Sequence, residues 1–340
     1  MSCTPVCMNS MRIRRLIIFA SFALGLIGPA DPAFAANDLY GARAMSLAGA
    51  LRASATGAAA LILNPAGMSL APQYVIGANY QFRVADSTSF VHSSVVDSGT
   101  TKLAAGVSYT FIRSNPTQLL ATVGEPFHFE ETIDIHEVGL ALSYPIGTWL
   151  ILGLHGRYIN YSSDVPVDAP DGLSPVNLSN VALDAGAILR LGESIRIAAV
   201  GYNLVPIHDQ IYPQSLGTAV SYSSSSLLTI EFDALIDFTT DPNKITASFH
   251  GGVELTLRNA FAIRGGAMHQ MHRNTTFVSA GFGYFSKRFG ASIGLRQMVD
   301  GGSETQITTG AEYFIFFFQA EDGIRDDSPR TPAHTSSQIA

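Results

Sequence analysis

Apolar and polar positions alternate with a period of two along most of the chain after residue 72, the pattern of strands whose two faces meet different surroundings. From Ile245 to Leu255, Ile245, Ala247, Phe249, Val253 and Leu255 share one face, while Thr246, Ser248, His250 and Glu254 share the other. Leu228, Ile230, Phe232, Ile236 and Phe238 likewise oppose Thr229, Glu231, Asp233 and Asp237. Leu150, Leu152, Leu154 and Tyr158 oppose His155 and Arg157. The pattern predicts strands near 73–84, 88–97, 102–113, 131–144, 149–161, 179–191, 195–204, 215–222, 226–238, 244–257, 260–272, 275–286, 288–299 and 304–316. The stretch at 88–97 is polar, and parity of the strand count places it in the set. Alternation alone fits a soluble sandwich or a barrel in lipid.

Composition and the N-terminus choose between them. Arg12, Arg14 and Arg15 precede an apolar run from Leu16 to about Ile27, and Ala33-Phe34-Ala35 follows. This is the layout of a cleaved export signal over residues 1–35, with Met11 as an alternative start. The cysteines, Cys3 and Cys7, fall within it, so the mature chain is expected to have no disulfide, thiol nucleophile or thiolate metal site. Charged residues are 14 % of the chain, against about 25 % in ordinary soluble domains. No mature segment reaches the roughly 18 to 20 apolar residues of a spanning helix. An exported, apolar, charge-poor chain of short strands is expected to be a transmembrane β-barrel. The net charge of −7 argues against a nucleic-acid partner.

The connections give the barrel an orientation. Pro145–Thr148, Gly192–Ser194, Ser223–Ser225, Arg258–Asn259 and Lys287–Arg288 are short and are expected to face the periplasm. The longer links 114–130, 162–178 and 205–214 would face outside, and Leu119, Leu120, Val123, Phe127 and Phe129 make the first of them unusually apolar. Glu312-Tyr313-Phe314 would close the last strand on an aromatic. Beyond it Gln319–Asp326 reads QAEDGIRD, one back-translation of which resembles a sequencing-adapter primer. Residues 317–340 are therefore expected to be a non-native tail.

Between signal and strands lies GARAMSLAGALRASATGAAALILNPAGM, residues 41–68, within an expected plug over 36–72. Small side chains let helices and backbone approach a narrow wall. Pro65 restricts Asn64 to extended or turn conformations and stops the preceding helix, and Asn64 can bond local backbone. Arg43 and Arg52 could tie the plug to lumen carboxylates or be solvated. The paired motif, with Gly41, Arg43, Gly49, Asn64, Pro65 and Ala66, resembles the N-terminal signature of the FadL-type outer-membrane transporter superfamily, which includes PorV-like proteins. The resemblance covers residues 41–68. It implies capture of a hydrophobic substrate on the outer face, passage beside the plug and sideways exit through a gap at a kinked early strand. Gly106 is the nearest candidate for that kink, although a lone strand glycine more often marks close packing.

The inward face carries Glu137, Arg157, Asp184, Arg190, Glu231, Asp233, Glu254, Arg264, Arg296 and Glu312. They could form a paired network that stiffens the barrel. Alternatively Arg157, Arg264 or Arg296 could meet a substrate carboxylate, because guanidinium binds carboxylate through two parallel hydrogen bonds. His155, His250 and His269 stand near serines, as a Ser-His hydrolase would need and as chance supplies in a serine-rich chain. His269 and His272 with Met268 and Met271 could hold a metal or form a solvated loop. The reading is an all-β, antiparallel transmembrane barrel of about fourteen strands over 73–316, with a helical plug, in the bacterial outer membrane. It is expected to be no enzyme, to need no cofactor or metal, and to transport hydrophobic molecules such as long-chain fatty acids passively. Its expected partners are that substrate, outer-membrane lipid and the barrel assembly machinery. The alternative is a PorV-like docking or shuttle partner for exported proteins.

Overall fold

Residues Tyr74 to Ile315 run up and down in antiparallel strands until the last pairs with the first. The structure, a computed structural model, describes residues 39–115, 117–120, 127–164, 176–207, 212–224, 227–240, 244–258 and 260–315. The expected export signal, the expected tail and Val123 lie outside the described residues. The strands are β1 (Tyr74–Arg83), β2 (Thr88–Asp97), β3 (Ala104–Ser114), β4 (Thr117–Leu120), β5 (Phe127–Glu130), β6 (Thr132–Ile146), β7 (Leu150–Asp164) and β8 (Val176–Leu191). They continue as β9 (Ile195–Tyr202), β10 (Ser215–Ser224), β11 (Leu228–Asp237), β12 (Thr246–Leu257), β13 (Phe261–Gln270), β14 (Thr275–Phe285), β15 (Phe289–Asp300) and β16 (Thr305–Ile315). Fourteen close the barrel; β4 and β5 form a separate hairpin within the link expected to be loop.

Each predicted strand corresponds to one barrel strand, the polar stretch at 88–97 included. The faces follow the alternation. Phe232, Phe249, Leu154 and Ile245 point outward and are exposed, whereas Glu231, Asp233, His250 and Glu254 point into the lumen and are buried. An apolar outer wall around a polar, filled interior suits hydrocarbon outside and inverts the plan of a soluble core. The short links after β6, β8, β10, β12 and β14 share the end where β1 begins and β16 finishes, the periplasmic end of outer-membrane barrels.

Inside the wall sits the N-terminal segment: α1 (Ala42–Ser46), α2 (Gly57–Leu63) and a 3₁₀ turn, Pro65–Leu70. Neither α-helix is long enough to persist alone, so packing holds them. Leu61, Leu63 and Met68 are almost completely buried, and each such burial stabilises by about 1.5–3 kcal/mol.

The wall is unbroken at β3. Gly106 pairs with Val96 on one side and Ala141 on the other, and both ladders run without a shift. A Cβ there would crowd Leu61 and Met68 of the plug. Close packing explains this glycine, and the gap expected near it is absent. A register shift does occur at Thr276/Phe277, between β14 and β15.

Candidate functional site

The plug is built around one elbow. Asn64 is extended, with φ −163° and ψ 106°, as the following Pro65 requires. Its Oδ1 accepts from the Ala66 amide at 3.1 Å, capping the 3₁₀ turn, and its Nδ2 donates to the Arg52 carbonyl at 2.9 Å. Asn64 is buried, so both bonds replace lost water contacts. The wall leaves room for it: a Cβ on Gly186 would collide with the Asn64 side chain, and one on Gly153 with the backbone of Pro65 and Ala66. Gly49 serves differently, turning the chain after α1 at φ +85°.

Two strands grip the plug by charge and a third by a tyrosine hydroxyl. Asp233 on β11 accepts from the Leu51 and Arg52 amides, each at 3.1 Å, and from Arg52 Nη1 at 3.0 Å. Arg52 Nε donates to the Tyr202 hydroxyl on β9 at 3.0 Å, and that hydroxyl donates to the Leu63 carbonyl. Glu231, two residues before Asp233, takes the Ala53 amide and the Ser54 hydroxyl. On β12, Glu254 receives a fork from Arg43, at 3.0 Å from Nε and 2.8 Å from Nη2, and also binds Arg264. Burial alone would lower the Arg43 guanidinium, but the facing Glu254 carboxylate more than offsets this and holds it above its ordinary value. Gly41 lies against Asn79, whose Oδ1 accepts from the Ala42 amide at 3.1 Å.

Two cavities flank the plug. One, of about 70 Å³, lies toward the long loops and is lined by Leu39, Tyr40, Leu61, Phe90, Ile112, His92, His155 and Arg157 among others. The other, of about 200 Å³, lies toward the periplasmic end beside Arg43, Glu254, Arg264, Phe285, Glu312 and Phe314. Leu39 and Tyr40 border the first, and Gly41, Ala42 and Arg43 border the second, so residues 39–43 partition them. Phe90 and Ile112 in the wall of the first cavity, with Ile133, Ile135 and Ile159, turn inward and pack with Leu39 and Tyr212. This apolar cluster was not foreseen, because inward positions were read as polar; β6 shows it as the odd residues Ile133 and Ile135 before Glu137.

The three lumen arginines considered for a carboxylate are already engaged. Arg157 pairs with Glu137 at 3.3 Å and Asp184 at 3.2 Å, and donates to Asn203 at 2.6 Å. Arg264 pairs with Glu254 at 2.5 Å and lies over the Phe285 ring. Arg296 donates to Gln306 at 2.8 Å, with its guanidinium 5.0 Å from the Phe277 ring centroid and 5.5 Å from that of Tyr40.

His250 and His269 have structural partners, whereas the buried His155 has neither ring nitrogen hydrogen-bonded among the described residues and its Nδ1 lies 3.8 Å from Asp184 Oδ2. His250 Nδ1 donates to the Ala48 carbonyl at 2.7 Å, and its Nε2 lies 2.9 Å from the Ser248 hydroxyl. This Ser-His pair clamps the plug, with a carbonyl where a hydrolase places a carboxylate or amide oxygen. His269 bonds Thr276, while its neighbour Met268 packs inward against Phe277 and Met298, so strand alternation sends the two to opposite faces.

No family model and no curated protein sequence matches the chain. Solved structures match it in shape. The Ralstonia pickettii toluene transporter TbuX superposes with a TM-score of 0.65 at 13 % identity, over 83 % of this chain and 99 % of that one. The monoaromatic hydrocarbon channel CymD gives 0.64 at 14 % identity, over 83 % and 99 %. A Pseudomonas aeruginosa FadL homologue gives 0.61 at 12 % identity, over 81 % and 98 %. A closed wall of fourteen strands with an N-terminal plug wedged inside it gives this chain the fold of the FadL-type outer-membrane barrels.

Proposed function

We propose that the protein is an outer-membrane channel through which hydrophobic small molecules enter passively. The observation that carries this reading is the inward cluster of Phe90, Ile112, Ile133, Ile135 and Ile159 at the long-loop end. A water-filled pore lines its interior with polar groups, whereas these side chains suit an apolar solute. The transporters and channels among the structural neighbours support the same class of cargo. Below the cluster, a fatty-acid carboxylate would compete with Glu137 and Asp184 for Arg157. That competition favours an uncharged hydrocarbon over a fatty acid at this level.

A second reading, a docking or shuttle barrel for exported proteins, is favoured by the unbroken β3 ladders and by residues 39–43 standing between the cavities. Crystals of the protein soaked with bromobenzene separate the two. Anomalous bromine signal within the inward cluster supports the channel. Bromine confined to the outer wall would remove the cluster as a solute site and favour docking.

A further inference from the structure

We propose that Arg190 and Arg196 form an oxyanion site at the periplasmic mouth of the lumen, taking a carboxylate or phosphate group. The two arginines stand directly opposite each other across the β8–β9 pair, on the inward face and beside the short turn at Gly192. Like charges in this arrangement repel and weaken the ladder. The other arginines facing the lumen are compensated: Arg43 and Arg264 by Glu254, Arg52 by Asp233, Arg83 by Asp86, Arg157 by Glu137 and Asp184, and Arg296 by Gln306 and two rings. Among the described ion pairs, none includes Arg190 or Arg196.

What surrounds them offers donors and few free acceptors. Arg190 Nη2 donates to the Ser69 carbonyl at 3.2 Å, and its Nε is buried without a partner. Arg196 Nη1 donates to the Ser223 hydroxyl at 3.1 Å. Ser221, opposite Arg196 across β9–β10, has a buried hydroxyl with no partner, as does Ser69. The carboxylate facing Ser221 is Glu231, whose two oxygens are spent on the Ala53 amide and the Ser54 hydroxyl of the plug. Glu231 attracts Arg196 from across β10, but no carboxylate among the described residues pairs with either guanidinium, and the unspent N–H groups and two free hydroxyls leave room for a negatively charged acceptor. Arginine forks match the planar oxygens of carboxylate and phosphate. The site depends on β8, β9, β10 and the 3₁₀ turn, and so stands whether or not hydrocarbons cross the lumen.

The test uses the full chain in non-ionic detergent, with thermal unfolding followed by heat-modifiable gel mobility at constant ionic strength. Three conditions are compared: chloride alone, inorganic phosphate, and short-chain phosphatidic acid. An anion bound only by the folded barrel raises the midpoint relative to chloride. A rise with phosphate identifies a free-anion site; a rise with the lipid alone identifies a headgroup site. Arg196→Gln and Arg190→Gln should each weaken binding about tenfold or more, as loss of a charge-assisted hydrogen bond does, and should raise the midpoint in chloride by relieving repulsion. Arg113→Gln, on the outer face, should keep the full response. Equal midpoints in all three conditions for the wild type would overturn the site, as would a full response retained by both variants.

Discussion

The side-chain amide of Asn64 reaches 2.9 Å to the carbonyl of Arg52, twelve residues earlier, and joins the two halves of the plug. Asp233 holds Arg52 from the wall at 3.0 Å. The plug's internal stitch and its main anchor therefore meet at one residue.

Asn64→Ala removes the Arg52 bond and the Ala66 cap together. Each buried group left unsatisfied costs about 1–3 kcal/mol, so the plug should loosen. Asn64→Asp retains the acceptor for Ala66 and loses the donor to Arg52, and should fall between. Limited proteolysis of the plug in the folded barrel ranks the three proteins; equal rates would contradict the stitch.

The Arg52–Asp233 pair is fully buried, where removing one partner strands the other at a cost of about 3–5 kcal/mol. Arg52→Met and Asp233→Leu should each destabilise strongly. Combining them should recover much of the loss, because neither charge is then left alone. A double-mutant cycle in denaturant measures the coupling, and strict additivity would count against it.

Gly186→Ala places a methyl group against the Asn64 side chain. The barrel strands keep their pairing, so heat-modifiable mobility should persist while the plug becomes protease-sensitive. Gly192→Ala is the comparison: its Cβ meets nothing, and its φ of +70° strains the turn alone.

Asp86, in the turn between β1 and β2, accepts from Arg83, the Thr88 amide and the Ser114 hydroxyl. Burial alone would raise its carboxyl, but the Arg83 hydrogen bond and charge hold it below the usual range. The sign follows: this contribution is present above the ordinary carboxylate value of about 4 and fades as pH falls through the lower folded value. Wild-type stability should therefore drop more steeply in acid than that of Asp86→Asn. Parallel unfolding curves down to strongly acidic pH would contradict the assignment.

The wall was legible because a barrel writes its two faces into alternate residues, as in Phe232 between Glu231 and Asp233. Pro65 likewise announced the Asn64 elbow, since its ring restricts the residue before it. Partnerships across the fold were not legible. Glu231 and Asp233 could be read as inward, but their capture of amides some 180 residues away depends on closure of the barrel. Arg190 facing Arg196 depends on the β8–β9 register. The hairpin β4–β5 escaped because four residues are too few to show a period. The inward isoleucines escaped because an apolar residue on a lumen face has no signature until the face is known.

The central claim is tested most directly by uptake of labelled toluene and oleate into a host lacking its own hydrophobic-solute channel. That host would carry the wild type, Ile135→Asp or Val138→Ala, each matched for folded barrel by heat-modifiable mobility. Ile135 is buried in the inward cluster, and Val138 faces outward. The account predicts toluene uptake above the empty-vector strain, sharply reduced by Ile135→Asp and unchanged by Val138→Ala, with oleate entering less readily. A folded wild-type barrel that raises uptake of neither solute would contradict it.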